Sequence, residues 1–222
     1  MTPLAFSINQ NGLVILCVVS VVYASLMALR QDELKRLLAW SSMAHVSLMA
    51  AGIFVWNISG IEGAMQQMFN HGIITLGLFY CAALIINKTG ETKISSLGGL
   101  RAQLPAFAGF FIWIIMASIG LPLTSGFPGE FSLLNALFEY QPILAAIAGT
   151  GTILGAVYML PAYHQMMHGQ NKFNVHDIHQ NNKALLAVGS LLILIFGLGP
   201  SLLTNVFEST LLDFFSPFSK LQ

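Results

Sequence analysis

Six long apolar runs, separated by polar clusters, decide what this sequence can fold into. They cover residues 12–29, 37–56, 64–86, 105–140, 142–167 and 184–207. A helix needs about 20 apolar residues to cross a bilayer core, and in lipid only helices and closed barrels satisfy their own backbone. The pattern therefore predicts an all-α, polytopic membrane helix bundle with about six transmembrane helices. Composition agrees, since 55% of the 222 residues are hydrophobic and 8% are charged. The whole chain, 1–222, reads as a single membrane domain without linker, low-complexity tract or internal repeat. A tail over residues 208–222 reads as an interfacial turn or short helix.

The fourth run is too long for one straight span, and it contains "IGLPLTSGFPGEF" with two prolines, three glycines and a carboxylate. These residues break helices, so the run reads as a discontinuous helix interrupted near 120–129. Gly126, Pro128 and Gly129 are expected to end the first half. Glu130 is then expected to open the second, where free backbone N–H groups and the positive end of the helix dipole favour an anion. Irregular backbone at membrane depth requires protein or a wet cavity around it, and broken helices of this kind recur in ion-coupled transporters.

Charge sets an orientation. Arg30, Lys35, Arg36, Lys88, Lys93, Arg101, Lys172 and Lys183 fall in alternate loops, and Lys220 stands alone on the other side. The excess of Lys and Arg marks the cytoplasmic side, so both termini are expected on the outer, periplasmic side of a bacterial inner membrane.

Ionisable side chains inside a membrane are costly, about 3 kcal/mol at a helix centre on insertion scales, and each is a functional hypothesis. His45 lies ten residues beyond Lys35 and His71 ten beyond Ile61. Each is thus roughly 15 Å deep from opposite faces, which places both imidazoles near the midplane. Imidazole takes and gives a proton near neutral pH. The plainer alternative is a pair of hydrogen-bonded core residues, and for Glu130 it is a glutamate capping a kink near the interface. Lys35 reads as a topology anchor or as an entry point for protons from cytoplasmic water. His164 would extend a polar track beside the kink at Pro161. His164 and His168 share the i, i+4 spacing of metal ligands but lack an intervening glutamate, and with His176 and His179 they read as a His-rich interfacial loop. Glu62 and Glu139 fall at outer loop boundaries. Gly149, Gly151 and Gly155 with Ala145 and Ala148 form a small-residue stripe suited to close helix contact.

Several chemistries are absent from the pattern. Cys17 and Cys81 lie inside apolar runs and read as small buried hydrophobes. No nucleotide-binding fingerprint, CxxC pair, cysteine quartet or nucleophile elbow is present. No basic run suggests nucleic acid. No catalytic, cofactor or metal residue is expected, and the polar residues describe a proton conduit or part of one.

In order and spacing, "QDELKRLLAWSSMAHVS", "NHGIITLGLFYCAALI", "LGGL" and "GLPLTSGFPGEF" resemble the antiporter-like membrane subunits of respiratory complex I. The resemblance runs from about Gly12 to Phe207. Glutamate in "GFxGEF", where relatives such as Mrp-type cation/proton antiporter subunits usually carry lysine, resembles the M-type branch, the mitochondrial chain 4-like one. Departures from the family pattern are Glu33, Trp40, Ala44, Ser47, Leu123 and Pro128; Leu123 stands where the family commonly has glycine.

The resemblance implies the second of two inverted repeats plus one extra helix, from a fold of about fourteen helices. It implies that Glu130 is the terminal protonatable residue of the broken helix, with His45 and His71 on a central hydrophilic axis. It further implies a proton-translocating subunit of NADH:quinone oxidoreductase, with NADH, FMN, iron–sulfur clusters and quinone bound by partner subunits. Other membrane subunits, the lipid bilayer and a separately encoded N-terminal half are the implied partners, a truncated product being the alternative. The rival readings are a subunit of an Mrp-type antiporter or membrane-bound hydrogenase, and a helical remnant that only packs against partners.

Overall fold

The computed structural model describes residues 3–215, within which every regular element is helical and the only bridge of β type joins Glu33 to Lys93. The helices are α1 (Pro3–Leu29), α2 (Leu34–Val55), α3 (Ile58–Thr89), α4 (Leu100–Gln103), α5 (Pro105–Ser118), α6 (Gly126–Tyr140), α7 (Pro142–Met167), α8 (Gln180–Leu198) and α9 (Ser201–Phe215). Lys220 and the end of the tail lie outside the described residues.

Local chemistry sets the ends. The Asn57 side chain accepts a hydrogen bond from Gly60 N at 2.7 Å and so caps α3. Gly90, at φ 74°, closes the same helix in the left-handed conformation that glycine adopts without penalty. Pro105 and Pro142 open α5 and α7, where a missing N–H costs nothing.

Among the described residues five helices are, by length and composition, long and apolar enough to cross a membrane: α1 from Asn9, α2, α3, α7 and α8. The broken pair α5 and α6, of 14 and 15 residues, supplies the remaining crossing between them. The sixth apolar run is not one helix. Pro200 cannot donate into a helix and its ring crowds the preceding turn, so α8 stops at Leu198 and α9 begins afresh at Ser201.

The three loops rich in basic residues meet at one end of the bundle. Ser95 donates from its N and Oγ to the Asp32 carboxylate at 2.9 and 2.6 Å, and Gly99 N donates to His168 O at 2.9 Å. Lys172 Nζ donates to the carbonyls of Ser95, Ser96 and Leu97 within 3.2 Å, and Lys88 Nζ donates to His176 O at 2.6 Å. The two lysines thus satisfy backbone carbonyls of the connecting loops and tie those loops together.

Apolar packing divides into two clusters. One surrounds Leu34, Leu38, Ile74, Ile85, Phe107, Phe111 and Met166. The other holds Val14, Val18, Leu48, Ala64, Leu133, Leu137 and Ala148, and it includes the small-residue contact of α7 with α1, where Gly151 lies against Val21. Along α2 the first cluster ends at Leu38 and the second starts at Leu48; along α3 the changeover lies between Ala64 and Ile74. That gap is where the polar side chains sit. Large apolar residues such as Leu16, Leu76 and Ile153 face outward, as a lipid-exposed surface requires.

Candidate functional site

The break in the fourth run occupies residues 119–125, earlier than the sequence pattern placed it. α5 ends at Ser118, Gly120 turns the chain at φ 70°, and Leu123 adopts φ 76°. A left-handed leucine stores on the order of 1–3 kcal/mol of backbone strain. Gly126, Pro128 and Gly129 do not end the first half, because they form the first turn of α6. Proline fits there, since first-turn N–H groups have no partner inside the helix.

Glu130 is consequently the fifth residue of α6 and does not open it. Its partners are side chains and not the free amides of a helix end. The carboxylate is buried, 4% exposed, with Oε1 3.1 Å from His45 Nδ1 and 3.3 Å from Gln67 Nε2, which donates to it. On its other side lies the Gly120 backbone. A Cβ on Gly120 would stand 2.5 Å from Glu130 Oε2, so glycine is required there for the turn and for the carboxylate.

His45 and His71 face each other with ring centroids 5.2 Å apart and their planes tilted by 40°. His71 Nε2 lies 2.9 Å from Ser42 Oγ and 3.1 Å from Thr75 Oγ1. These hydroxyls donate or accept as the imidazole tautomer requires. Ser41, Ser42, His45, His71, Thr75 and Ser118 line a small common cavity of about 10 Å³, close to the room one water molecule needs. Tyr158 donates to Ser41 Oγ at 2.9 Å, and the same tyrosine lines an open wedge at the loop end beside Arg30, Asp32 and Gln165. A polar sequence thus runs from the loop end to Glu130.

Of the residues singled out in the sequence, Glu130, His45 and His71 come together. Lys35 and His164 do not join them. Lys35 is exposed in the first turn of α2, roughly 15 Å along the helix from His45. His164 is exposed near the end of α7, its ring stacked on His168 at 4.8 Å. Glu62 is half-buried, Glu139 is exposed and accepts from Asn135, and the free thiols of Cys17 and Cys81 lie apart from the site. Among the described residues no group of three His, Cys, Asp or Glu could hold a metal. The sequence pattern passed over Ser41, Ser42, Thr75, Tyr158 and the amides of α3. The run "QQMFNH" carried the signal, because polar residues at 66, 67, 70 and 71 inside an apolar span share one helix face.

Comparison with known proteins follows this geometry. A family model described as NADH:quinone oxidoreductase/Mrp antiporter, transmembrane, matches residues 2–155. Subunit M of the NADH-quinone oxidoreductase of Rickettsia felis is 39% identical to this chain, covering 96% of the chain and 45% of that protein. A chain of respiratory complex I from Thermus thermophilus superposes with a TM-score of 0.88 at 29% identity, covering 91% of this chain and 44% of that one. A chain of the Mrp complex from Dietzia sp. superposes with a TM-score of 0.85 at 18% identity over 94% of this chain and 48% of that one, a likeness of fold. The chain therefore spans less than half the length of these relatives.

Proposed function

The chain belongs to the NADH:quinone oxidoreductase/Mrp antiporter transmembrane family, and from that membership we propose that it forms part of a proton-translocating membrane subunit of an NADH:quinone oxidoreductase. The observation that carries the reading is the contact of Glu130 with His45 at 3.1 Å, buried between two apolar cores and continued by His71 to Ser42 and Thr75. A proton on His45 Nδ1 passes to Glu130 Oε1 without either group leaving its place. His71 then reprotonates His45 through a bridging water, and tautomer exchange at His71 draws on the hydroxyls. Tyr158 and Ser41 connect this chain to the loop end. Lys35 and His164, exposed at that end, would gather protons at its mouth.

Electron transfer belongs, in this reading, to partner subunits that bind NADH, FMN, iron–sulfur clusters and quinone. The partners proposed are the other membrane subunits of such a complex and the helices that make up the remaining length of the relatives. The membrane is a bacterial inner membrane with the basic loops inside, which puts both ends of the chain on the outer face. Glutamate at position 130 favours this subunit over an Mrp-type antiporter, to which the likeness is one of fold.

Replacing Glu130 with Gln in the full chain, within its native membrane, tests the proposal. The amide keeps the volume and the hydrogen bonds and removes the proton. Proton translocation coupled to NADH oxidation is expected to fall sharply, and unchanged translocation overturns the reading.

A further inference from the structure

α8 lies on the outside of the bundle, and of its 19 residues Leu186 and Ile193 alone are buried. It is tied to α3 by Tyr80, whose hydroxyl donates to Asn182 Oδ1 at 3.0 Å, and by Phe196, which meets Phe69 edge to face at 5.2 Å. Trp113 of α5 donates from Nε1 to Ser190 O at 3.4 Å. One contact is of another kind. In the last turn of α8, a Cβ on Gly197 would stand 2.3 Å from Leu123 O, 2.5 Å from Thr124 C and 2.7 Å from Leu123 C. All three are backbone atoms, which cannot swing aside as a side chain can, so the helix and the break meet main chain to main chain. At Gly189, about two turns earlier on the same helix, a Cβ would have nothing within 4 Å.

The segment that Gly197 meets is the strained one. Leu123 holds φ 76° while its side chain is exposed, so the side chain does not fix the conformation. A strained backbone persists only where its surroundings over-determine it. Within the turn, Leu121 O accepts from Thr124 N at 3.1 Å and from Thr124 Oγ1 at 2.6 Å. From outside, the last turn of α8 stands against the same backbone.

These bonds also connect the contact to the site. Leu121 follows Gly120, against which Glu130 Oε2 lies, and Thr124 O accepts from Phe127 N at 3.2 Å in the first turn of α6. The turn that borders the carboxylate and the helix that carries it are both joined to the two residues that α8 meets.

We propose that Gly197 is a positioning residue for Glu130. Having no side chain, it lets α8 close on Leu123 and Thr124, and that closure holds the break in the conformation that keeps the carboxylate between Gly120 and His45. Gly197 acts through the break and not on the proton itself. The consequence for transport rests on the proton-relay reading of Glu130.

Gly197→Ala and Gly189→Ala, compared in the full chain within its native membrane assembly, test the proposal. Both add one methyl group to α8, and the first alone adds it against the break. Isotope-edited infrared spectra report the Glu130 carboxyl band, which a general loss of stability does not move. The band is expected to shift in Gly197→Ala, with a several-fold loss of translocation, and to keep its wild-type position and rate in Gly189→Ala. Should Gly197→Ala fail to accumulate in the membrane, Phe196→Ala takes its place, because it loosens the same turn of α8 from Phe69 without adding an atom to the contact. The same shift is expected there. An unshifted band in whichever of these two accumulates, or an equal shift in Gly189→Ala, overturns the proposal, and a shifted band at the full rate overturns its consequence for transport. Translocation indifferent to Glu130→Gln would sink the relay reading instead, and the band would still decide whether Gly197 positions the carboxyl.

Discussion

His45 Nδ1 and Glu130 Oε1 stand 3.1 Å apart, with side chains 13% and 5% exposed, although α3, α4 and α5 separate their helices in the chain. A buried carboxylate that loses its partner is strongly disfavoured, so each residue is a condition for the other's presence. Two functions are combined in His45, a hydrogen bond and a mobile proton, and substitution can part them. His45→Gln keeps the hydrogen bond and removes the proton. Assembly in the membrane should survive, while the translocation rate should fall by roughly tenfold or more. Equal rates in wild type and His45→Gln would show that the imidazole only holds Glu130 in place.

Gly120 meets Glu130 from the opposite side. Alanine there would hold φ 70°, a left-handed conformation costing roughly 1–2 kcal/mol for a residue with Cβ, and its Cβ would stand 2.5 Å from Glu130 Oε2. Gly120→Ala is expected to lower the melting temperature of the solubilised protein and to reduce translocation together. Loss of stability with full translocation would mean that the carboxylate tolerates displacement.

The six apolar runs, the discontinuity and the residues Glu130, His45 and His71 were legible in the sequence, because membrane length and the cost of burying charge act on single residues. The depth argument for the two histidines needed only helical rise. The position of the break was not legible. Gly126, Pro128 and Gly129 look like helix breakers, yet the first turn of a helix tolerates all three, and the turn itself is made by Gly120 and a left-handed Leu123. Ser41, Ser42 and Tyr158 were invisible for another reason, since a serine or tyrosine in an apolar helix is unremarkable until tertiary packing brings two of them within 2.9 Å. The stop in the sixth run at Pro200 was marked by Gly199 and Pro200, but high hydrophobicity on both sides masked it.

Leu123 offers the opposite test to Gly120. It holds φ 76° and is 64% exposed, so the side chain contributes little burial to offset the strain of its backbone. Glycine relieves the strain and adds freedom to the unfolded chain, and the two effects oppose each other. Leu123→Gly should therefore raise stability by only about 0.5–1 kcal/mol. A lower melting temperature would show that Leu123 makes contacts that outweigh its strain.

At the loop end, Asp32 ties the connection of α1 and α2 to the turn after α3. The Ser95 hydroxyl and backbone N–H, in that order, hold its carboxyl below the ordinary aspartate value of 3.8, with a smaller contribution from Lys93. A carboxyl depressed in the folded state contributes stability that is fully present above its unfolded value. That contribution disappears as pH falls through the lower, folded value, so the sensitive window lies below 3.8. The site is exposed, and the effect is correspondingly small. Wild-type protein in detergent should lose melting temperature across that window more steeply than Asp32→Asn, which cannot ionise and starts lower at neutral pH. Ser95→Ala should behave like a partial version of the same change, because it removes the 2.6 Å hydroxyl bond and leaves the backbone N–H bond in place. Parallel melting curves for all three proteins through the acid range would show that the Asp32 contact does not stabilise the fold.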